Sequence, residues 1–127
     1  PDADGRAPPQ VNGVCFMPNN SEQLLVCPRG SALHVTTLAG EVVKTVSSGK
    51  REGGDFLRCV VSPTGGWAHV VAEDSHLYCF ELKDEGKLQH LLKVHEKEAI
   101  GVALHPHRNL VATWANEGTL RLWRSGD

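Results

Sequence analysis

Phe56-Leu57-Arg58-Cys59-Val60-Val61-Ser62-Pro63 is one of three related segments in this chain of 127 residues. Val11–Pro18 (VNGVCFMP) precedes it and Ala99–Pro106 (AIGVALHP) follows it, and each segment ends in proline. The three prolines lie 45 and 43 residues apart. A repeat of about 40–45 residues is typical of propeller architectures. The spacing therefore predicts a repeat protein.

Each repeat is predicted to consist of short strands. Apolar residues alternate with smaller or polar ones in the opening segment, which indicates a half-buried strand closed by proline. Further strands are predicted at Leu24–Cys27, Ala32–Thr37, Val42–Val46, Trp67–Ala72, His76–Glu81, Leu88–Lys93, Leu110–Trp114 and Thr119–Trp123. No helical apolar stripe competes with these strands. The sequence predicts an all-β chain with repeats at about 11–55, 56–98 and 99–127.

The third repeat carries the motifs of a known family. Val94-His95 and the segment 116–124 (NEGTLRLWR) resemble a WD repeat, in which Gly-His opens the unit and Trp-Asp closes it. Three residues depart from that pattern, since Val94 replaces glycine, Glu117 replaces aspartate and Arg124 replaces the final aspartate. The resemblance implies a β-propeller whose repeats are held by a hydrogen-bond network. Its members would be His95, Thr113, Glu117 and Trp123.

Four longer segments resemble one branch of WD-repeat proteins, the suppressor-of-mec-and-unc (SMU) family of splicing factors. They are Ser47–Phe56 (SSGKREGGDF), Leu77–Phe80, Val94–Lys97 and His105–Leu110. The resemblance extends over about residues 11–123. It implies a seven-bladed, non-catalytic scaffold that binds proteins in the nuclear spliceosome before catalytic activation. The protein RED is the best-known companion, and it binds mainly through an N-terminal helical region absent from this chain.

The length predicts only part of such a ring. Propellers close with about four to eight blades, and the eleven candidate strands make fewer than three complete ones. We therefore expect residues 11–127 to be the C-terminal part of a longer propeller, with the last blade incomplete. Residues 1–10 are polar and rich in proline, and are predicted to be a loop or a cut end.

Composition argues against several other classes of protein. No run approaches the roughly 20 apolar residues needed to cross a bilayer. The net charge of −2 provides no general attraction for nucleic acid. The four cysteines and seven histidines lack the spacing of a zinc site, and no nucleophile or phosphate-loop motif is present. We expect no membrane span, metal, cofactor or enzymatic activity.

The charged loop between the first two repeats is the candidate contact for a partner. Lys50, Arg51, Glu52 and Asp55 lie in it beside glycines, and arginine there could bind a carboxylate or a phosphate. Three readings remain open besides a protein contact. The loop could be only a solvated connection, it could touch an RNA backbone, or Asp55 could pair with Arg51 to fix the turn.

Three functions are compatible with the sequence. The favoured one is a scaffold for spliceosomal proteins. A direct RNA-binding module would use Lys44, Lys50, Arg51 and Arg58, and its affinity would depend strongly on salt. A WD-repeat substrate adaptor of a ubiquitin ligase is the third, although no residue distinguishes it.

Overall fold

Eleven β-strands account for most of residues 11–48, 54–108 and 110–124, the part of the chain described by the computed structural model. They are β1 (Val11–Phe16), β2 (Gln23–Pro28), β3 (Ala32–Thr37), β4 (Val42–Ser47), β5 (Phe56–Val61), β6 (Trp67–Ala72), β7 (His76–Glu81), β8 (Lys87–Lys93), β9 (Ala99–Leu104), β10 (Leu110–Ala115) and β11 (Leu120–Arg124). These ranges contain no helix. The prediction of an all-β protein is confirmed.

The strands form three antiparallel sheets in chain order. The first sheet is β1-β2-β3-β4, the second is β5-β6-β7-β8, and the third is β9-β10-β11. Within each sheet every strand pairs with the next one along the chain, as in Phe56↔Ala72 of the second sheet and Val111↔Trp123 of the third. Such up-and-down sheets are the blades of a propeller.

Turn chemistry sets where the strands reverse. Pro63 follows β5 in a turn closed by a hydrogen bond from the Gly65 amide to the Ser62 carbonyl, 2.8 Å long. Proline costs no strand hydrogen bond at that position. Between β10 and β11, Gly118 has a φ of 92°, a conformation that side chains other than glycine's disfavour.

Aromatic side chains dominate the core between the first and second sheets. Phe56 packs against Tyr78 with ring centroids 5.1 Å apart and against Phe80 at 6.1 Å. All three side chains are buried. From the first sheet, Leu25 and Leu33 complete this core. Aromatic pairs at such distances contribute beyond the area they bury.

A second core joins the second and third sheets. It is built from Val71, Leu77, Cys79, Val94, Ala99, Val102 and Val111, with Trp67 and Trp123 packed against it. The opening strands β1, β5 and β9 lie side by side. The Asn12 side chain crosses from β1 to β5, where its Nδ2 donates to the Phe56 carbonyl at 2.7 Å. The sheets therefore succeed one another as blades around an inner edge.

The outer faces of the first and third sheets carry exposed apolar side chains. Phe16 is 77% exposed on β1, and Leu120 and Leu122 are 62% and 63% exposed on β11. In contrast to Phe56 and Val111, which are fully buried between sheets, these side chains are not covered by any described residue to a comparable degree.

Candidate interaction face

One end of the three sheets gathers the short turns and the connections between sheets. The amide of Phe56 donates to the Gly30 carbonyl at 2.7 Å, that of Val94 to Ser75 at 3.0 Å, and that of Asn116 to Glu98 at 2.9 Å. We call this end the turn face. Its described residues are 29–31, 54–55, 73–75, 94–98 and 116–119.

Asp55 links the first and second sheets on the turn face. Its Oδ2 accepts a hydrogen bond from Arg29 Nε at 2.5 Å, and its amide donates to Glu73 Oε1 at 3.1 Å. The Glu73 amide in turn donates to the Asp55 carbonyl at 2.9 Å. Arg29 is 61% exposed at the side chain and Asp55 is 28% exposed. Asp55 therefore binds both neighbouring turns and still reaches the surface.

Only the end of the predicted contact loop lies within the described residues. Lys50, Arg51 and Glu52 fall outside them, so the contact hypothesis and the pairing of Arg51 with Asp55 stay predictions. Arg29 was not anticipated as the partner of Asp55. The two residues are 26 positions apart, so no local pattern in the sequence indicates that they meet.

Gly54 brings the end of this loop into close contact with the next turn. Its φ is 83°, and a Cβ added there would lie 2.8 Å from the Glu73 Cβ and 3.2 Å from the Asp74 amide nitrogen. Any larger residue would force these turns apart. The close approach allows Asp55 and Glu73 to exchange their hydrogen bonds.

The Asp74 turn is fixed by its own side chain. Tyr78 Oη donates to Asp74 Oδ2 at 2.6 Å, and the His76 amide donates to Oδ1 at 3.1 Å. Burial raises the pKa of Tyr78, and the nearby Asp74 carboxylate adds to the effect. Ser75 Oγ donates to the Lys97 carbonyl at 2.7 Å, so the turn also holds the connection to the third sheet.

Three of the four residues proposed for the WD-repeat network lie together. His95 Nε2 and Thr113 Oγ1 are 2.9 Å apart, and Trp123 Nε1 donates to the same Thr113 Oγ1 at 2.8 Å. His95 and Thr113 are buried, whereas Trp123 is half-buried. This cluster binds the connection before β9 to the middle of β10 and to β11.

Glu117 stands apart from that cluster, exposed on the turn between β10 and β11. His95 Nδ1 is buried and has no hydrogen-bond partner among the described residues. Glu117 and Glu98, with Lys97 and Asn116, line an open groove of about 450 Å³ on the turn face. Glu117, which stands where the family has aspartate, is thus a surface residue.

The described part of the turn face is mainly acidic. Its carboxylates are Asp55, Glu73, Asp74, Glu96, Glu98 and Glu117, and its cations are Arg29 and Lys97. Two cations considered for RNA binding lie elsewhere and bind backbone carbonyls. Lys44 Nζ donates to Leu82 at 2.5 Å, and Arg58 Nη1 donates to Leu57 at 2.8 Å. The structure does not bring Lys44 and Arg58 together.

A groove that the sequence did not suggest lies between the second and third sheets. It has a volume of about 250 Å³ and is lined by Trp67, His69, Leu77, Cys79, His90, Leu92, Val111, Trp123 and Arg124. His69 is buried, and its Nδ1 is 3.3 Å from Cys79 Sγ. Burial, helped by nearby His90, lowers the pKa of His69 to about 4. The neutral imidazole is therefore the form that the fold accommodates.

No group of three or more histidine, cysteine or acidic side chains is arranged to hold a metal ion in the described ranges. Nor does any helix there have the length and apolarity needed to span a membrane.

Comparison with known proteins identifies the repeats. Over 115 residues, 91% of this chain, the sequence is 31% identical to "WD40 repeat-containing protein smu1" of Dictyostelium discoideum. The chain is an smu1-like WD-repeat protein. The similarity to the SMU family inferred from the motifs is thereby confirmed. The chain spans about 21% of the length of that relative.

The fold of this smu1-like chain is also found among solved structures. A chain in the crystal structure of a mitotic checkpoint complex matches it with a TM-score of 0.80 over 92% of its length. The match covers 36% of that chain at 22% sequence identity, and it supports the propeller fold alone. No protein-family model matches the sequence. The prediction of WD-repeat propeller blades is confirmed.

Proposed function

We propose that this protein is a non-catalytic scaffold that binds proteins of the pre-mRNA splicing machinery in the nucleus, before the spliceosome is activated. The observation that carries the proposal is the 31% identity to smu1 over nearly the whole chain. The SMU-like segments identified in the sequence point the same way. WD-repeat propellers typically serve as platforms for other proteins, and the turns described above supply a surface for such contacts.

Charge on the turn face favours a protein partner over RNA. RNA binding relies on cations that neutralise phosphates, whereas carboxylates outnumber cations among the described residues of this face. Lys44 and Arg58 are already hydrogen-bonded to carbonyls at separate places. A basic protein segment is the partner that the acidic groove around Glu98 and Glu117 suits best. Lys50 and Arg51 would add a contact for acidic groups beside it.

Affinity capture from nuclear extract tests this proposal. The full-length protein would be compared with two charge-reversal variants, Lys50→Glu/Arg51→Glu and Glu98→Lys/Glu117→Lys, each with and without nuclease treatment. Glu85→Lys is the matched control, because Glu85 is exposed on the turn between β7 and β8, away from the turn face. We expect the unmodified protein to recover spliceosomal proteins, RED among them, and at least one turn-face variant to lose a subset.

The control should recover the same set as the unmodified protein. Absence of splicing proteins from every sample would contradict the proposal. Loss of all partners on nuclease treatment, with a steep fall of binding between low and physiological salt, would favour RNA binding.

A further inference from the structure

Three of the four cysteines meet where the first sheet packs on the second. Cys15 on β1 and Cys59 on β5 have their Sγ atoms 4.0 Å apart, and the Cys15 thiol also donates a hydrogen bond to the Cys59 carbonyl oxygen at 3.4 Å. Cys27 on β2 shares the sheet face of Cys15, because Cys15 pairs with Leu25 two positions away. Residues 44 positions apart in sequence thus form a thiol pair.

The pair replaces apolar residues of the repeat. In the aligned segments, Cys15 corresponds to Val60 and Cys59 corresponds to Val102. Val60 and Val102 pack together at the matching place between the second and third sheets. Packing between sheets therefore does not require sulfur at these positions, and the thiols are a feature of the first interface.

The two thiols differ in access and acidity. Cys59 is buried and Cys15 is half-buried. A hydrogen bond from the Cys59 thiol lowers the pKa of Cys15 to about 7, against the opposing effect of burial. Contacts with Cys15 and Cys27 raise the pKa of Cys59. Cys59 lowers the pKa of Cys27 as well, although Cys27 is fully buried. A lowered pKa favours the thiolate of the more accessible sulfur, and the thiolate is the reactive form of cysteine.

The half-buried Cys15 and the exposed apolar residues of β1 lie on opposite faces of the strand. The Cys15 side chain points toward the second sheet, whereas Val14 and Phe16 point from the opposite face of β1. A blade packed on the outer face of the first sheet would cover Val14 and Phe16 first. Cys79 offers a contrast, since it is buried near His69 and burial raises its pKa to about 11.

We propose that Cys15 is a peroxide-reactive cysteine and that Cys59 resolves it, forming a disulfide between the first two sheets. The Cys15 thiolate attacks one oxygen of hydrogen peroxide, which breaks the O–O bond and gives a sulfenic acid and hydroxide. The Cys59 thiol then attacks Cys15 Sγ and gives up its proton, with which the sulfenic hydroxyl leaves as water. The hydroxide of the first step takes up the proton that Cys15 released on ionising, so two thiols lose two electrons and one peroxide becomes two waters.

The required movement is small. A disulfide needs its sulfur atoms about 2.05 Å apart, so the two Sγ atoms must approach by about 2 Å from their present separation. The bond would tie the first sheet to the second at the inner edge, where Asn12 already bridges them.

Peptide mapping of the full-length protein tests the proposal. The reduced protein would be treated with a few equivalents of hydrogen peroxide at pH 7.5, blocked with iodoacetamide, digested and analysed by mass spectrometry. We expect a cross-linked peptide pair joining Cys15 to Cys59, with Cys79 fully alkylated. Cys15→Ser should slow thiol loss at least about tenfold, whereas Cys79→Ser should leave the rate unchanged.

Cys59→Val separates the reaction of Cys15 with peroxide from the formation of the disulfide. The change is conservative because Val102 holds the matching place in the next interface. In this variant Cys15 should be trapped by dimedone as a sulfenic acid rather than form the disulfide. Three results would overturn the proposal. They are a lack of reaction at Cys15, a cross-link of Cys15 to Cys27 in place of Cys59, and equal oxidation of Cys79.

Discussion

The second and third sheets fill corresponding positions of the repeat with different chemical groups. Corresponding positions of the repeat hold Val70 and Phe80 in the second sheet and Thr113 and Trp123 in the third. The second sheet fills the space with apolar and aromatic groups that exclude water completely. In the third sheet, the Thr113 hydroxyl accepts from Trp123 and contacts a buried histidine. Loss of the WD motif in the second repeat therefore leaves the blade intact.

The acidic turn residue differs between the two sheets as well. Asp74 binds inward to Tyr78 and to the amide two residues on. Glu117, at the corresponding position, faces solvent. The shorter Asp74 carboxylate accepts hydrogen bonds that fix its own turn. The longer Glu117 carboxylate lies exposed on the turn face. The two repeats thus place the corresponding carboxylate differently, in a structural position at Asp74 and at the surface at Glu117.

The largest effect is expected from the aromatic core of the second sheet. Phe56→Ala should lower the free energy of unfolding of the full-length protein by about 3–5 kcal/mol, because a fully buried ring leaves a cavity. Chemical denaturation measures this change. Leu38→Ala, on an exposed turn, is the control and should change stability by less than about 0.5 kcal/mol. A loss below about 1 kcal/mol for Phe56→Ala would show that the ring is not packed as described.

A pH effect of nearly the same size is expected from the buried histidine of the second sheet. The pKa of His69 is about 4 when folded and about 6.5 when unfolded. Between these values the unfolded chain binds an extra proton, so stability is full above about pH 6.5 and falls as the pH drops toward 4. The total loss should be about 3 kcal/mol.

Denaturation curves at several pH values compare this loss in the unmodified protein and in His69→Gln. The variant should show a flatter dependence across that window. Identical slopes for both proteins would mean that His69 does not titrate as its burial requires.

An intermediate effect is expected from the hydrogen-bond cluster of the third sheet. Thr113→Val removes the acceptor of the half-buried Trp123 and the partner of the buried His95. It should cost about 2 kcal/mol because both groups are left without that hydrogen bond. The reciprocal change, Val70→Thr, places a hydroxyl in an apolar core and should cost about 1–3 kcal/mol. Thermal unfolding of both variants sharpens the comparison. If Thr113→Val were neutral, the cluster would add nothing beyond packing.

The smallest effect is expected at the exposed ion pair between the first two sheets. Arg29→Gln and Asp55→Asn should each change the free energy of unfolding by less than about 1 kcal/mol, because water screens an exposed pair. A double-mutant cycle isolates the coupling between them. A coupling above about 2 kcal/mol would mark Asp55 as a main structural link between the blades.

Local sequence predicted most of the fold. The strands at Trp67–Ala72 and His76–Glu81 coincide with the predicted limits, and β2 differs from its predicted range by one residue at each end. Alternation and turn residues act within a few positions of one another, so a single sequence displays them. The three-sheet arrangement followed from the repeat length.

Contacts between sheets were much harder to predict. Arg29 meets Asp55 and Cys15 meets Cys59 across 26 and 44 residues, and nothing local marks either pair. His69 is the polar residue of an otherwise apolar strand, and it is buried because a neighbouring sheet covers it. The comparison of aligned repeats could have revealed the cysteines, since valines hold their places in the next interface. Only the assembled sheets show which residues of a strand are covered by a neighbouring sheet.

The most direct test of the proposed function is a splicing reaction in nuclear extract depleted of this protein. A labelled pre-mRNA would be followed by gel electrophoresis, and the stalled complexes would be resolved on native gels. We expect unspliced precursor to accumulate in complexes that have not been activated, and we expect the purified full-length protein to restore splicing. Unchanged splicing after complete depletion would contradict a role in the spliceosome and leave a WD-repeat scaffold of another assembly.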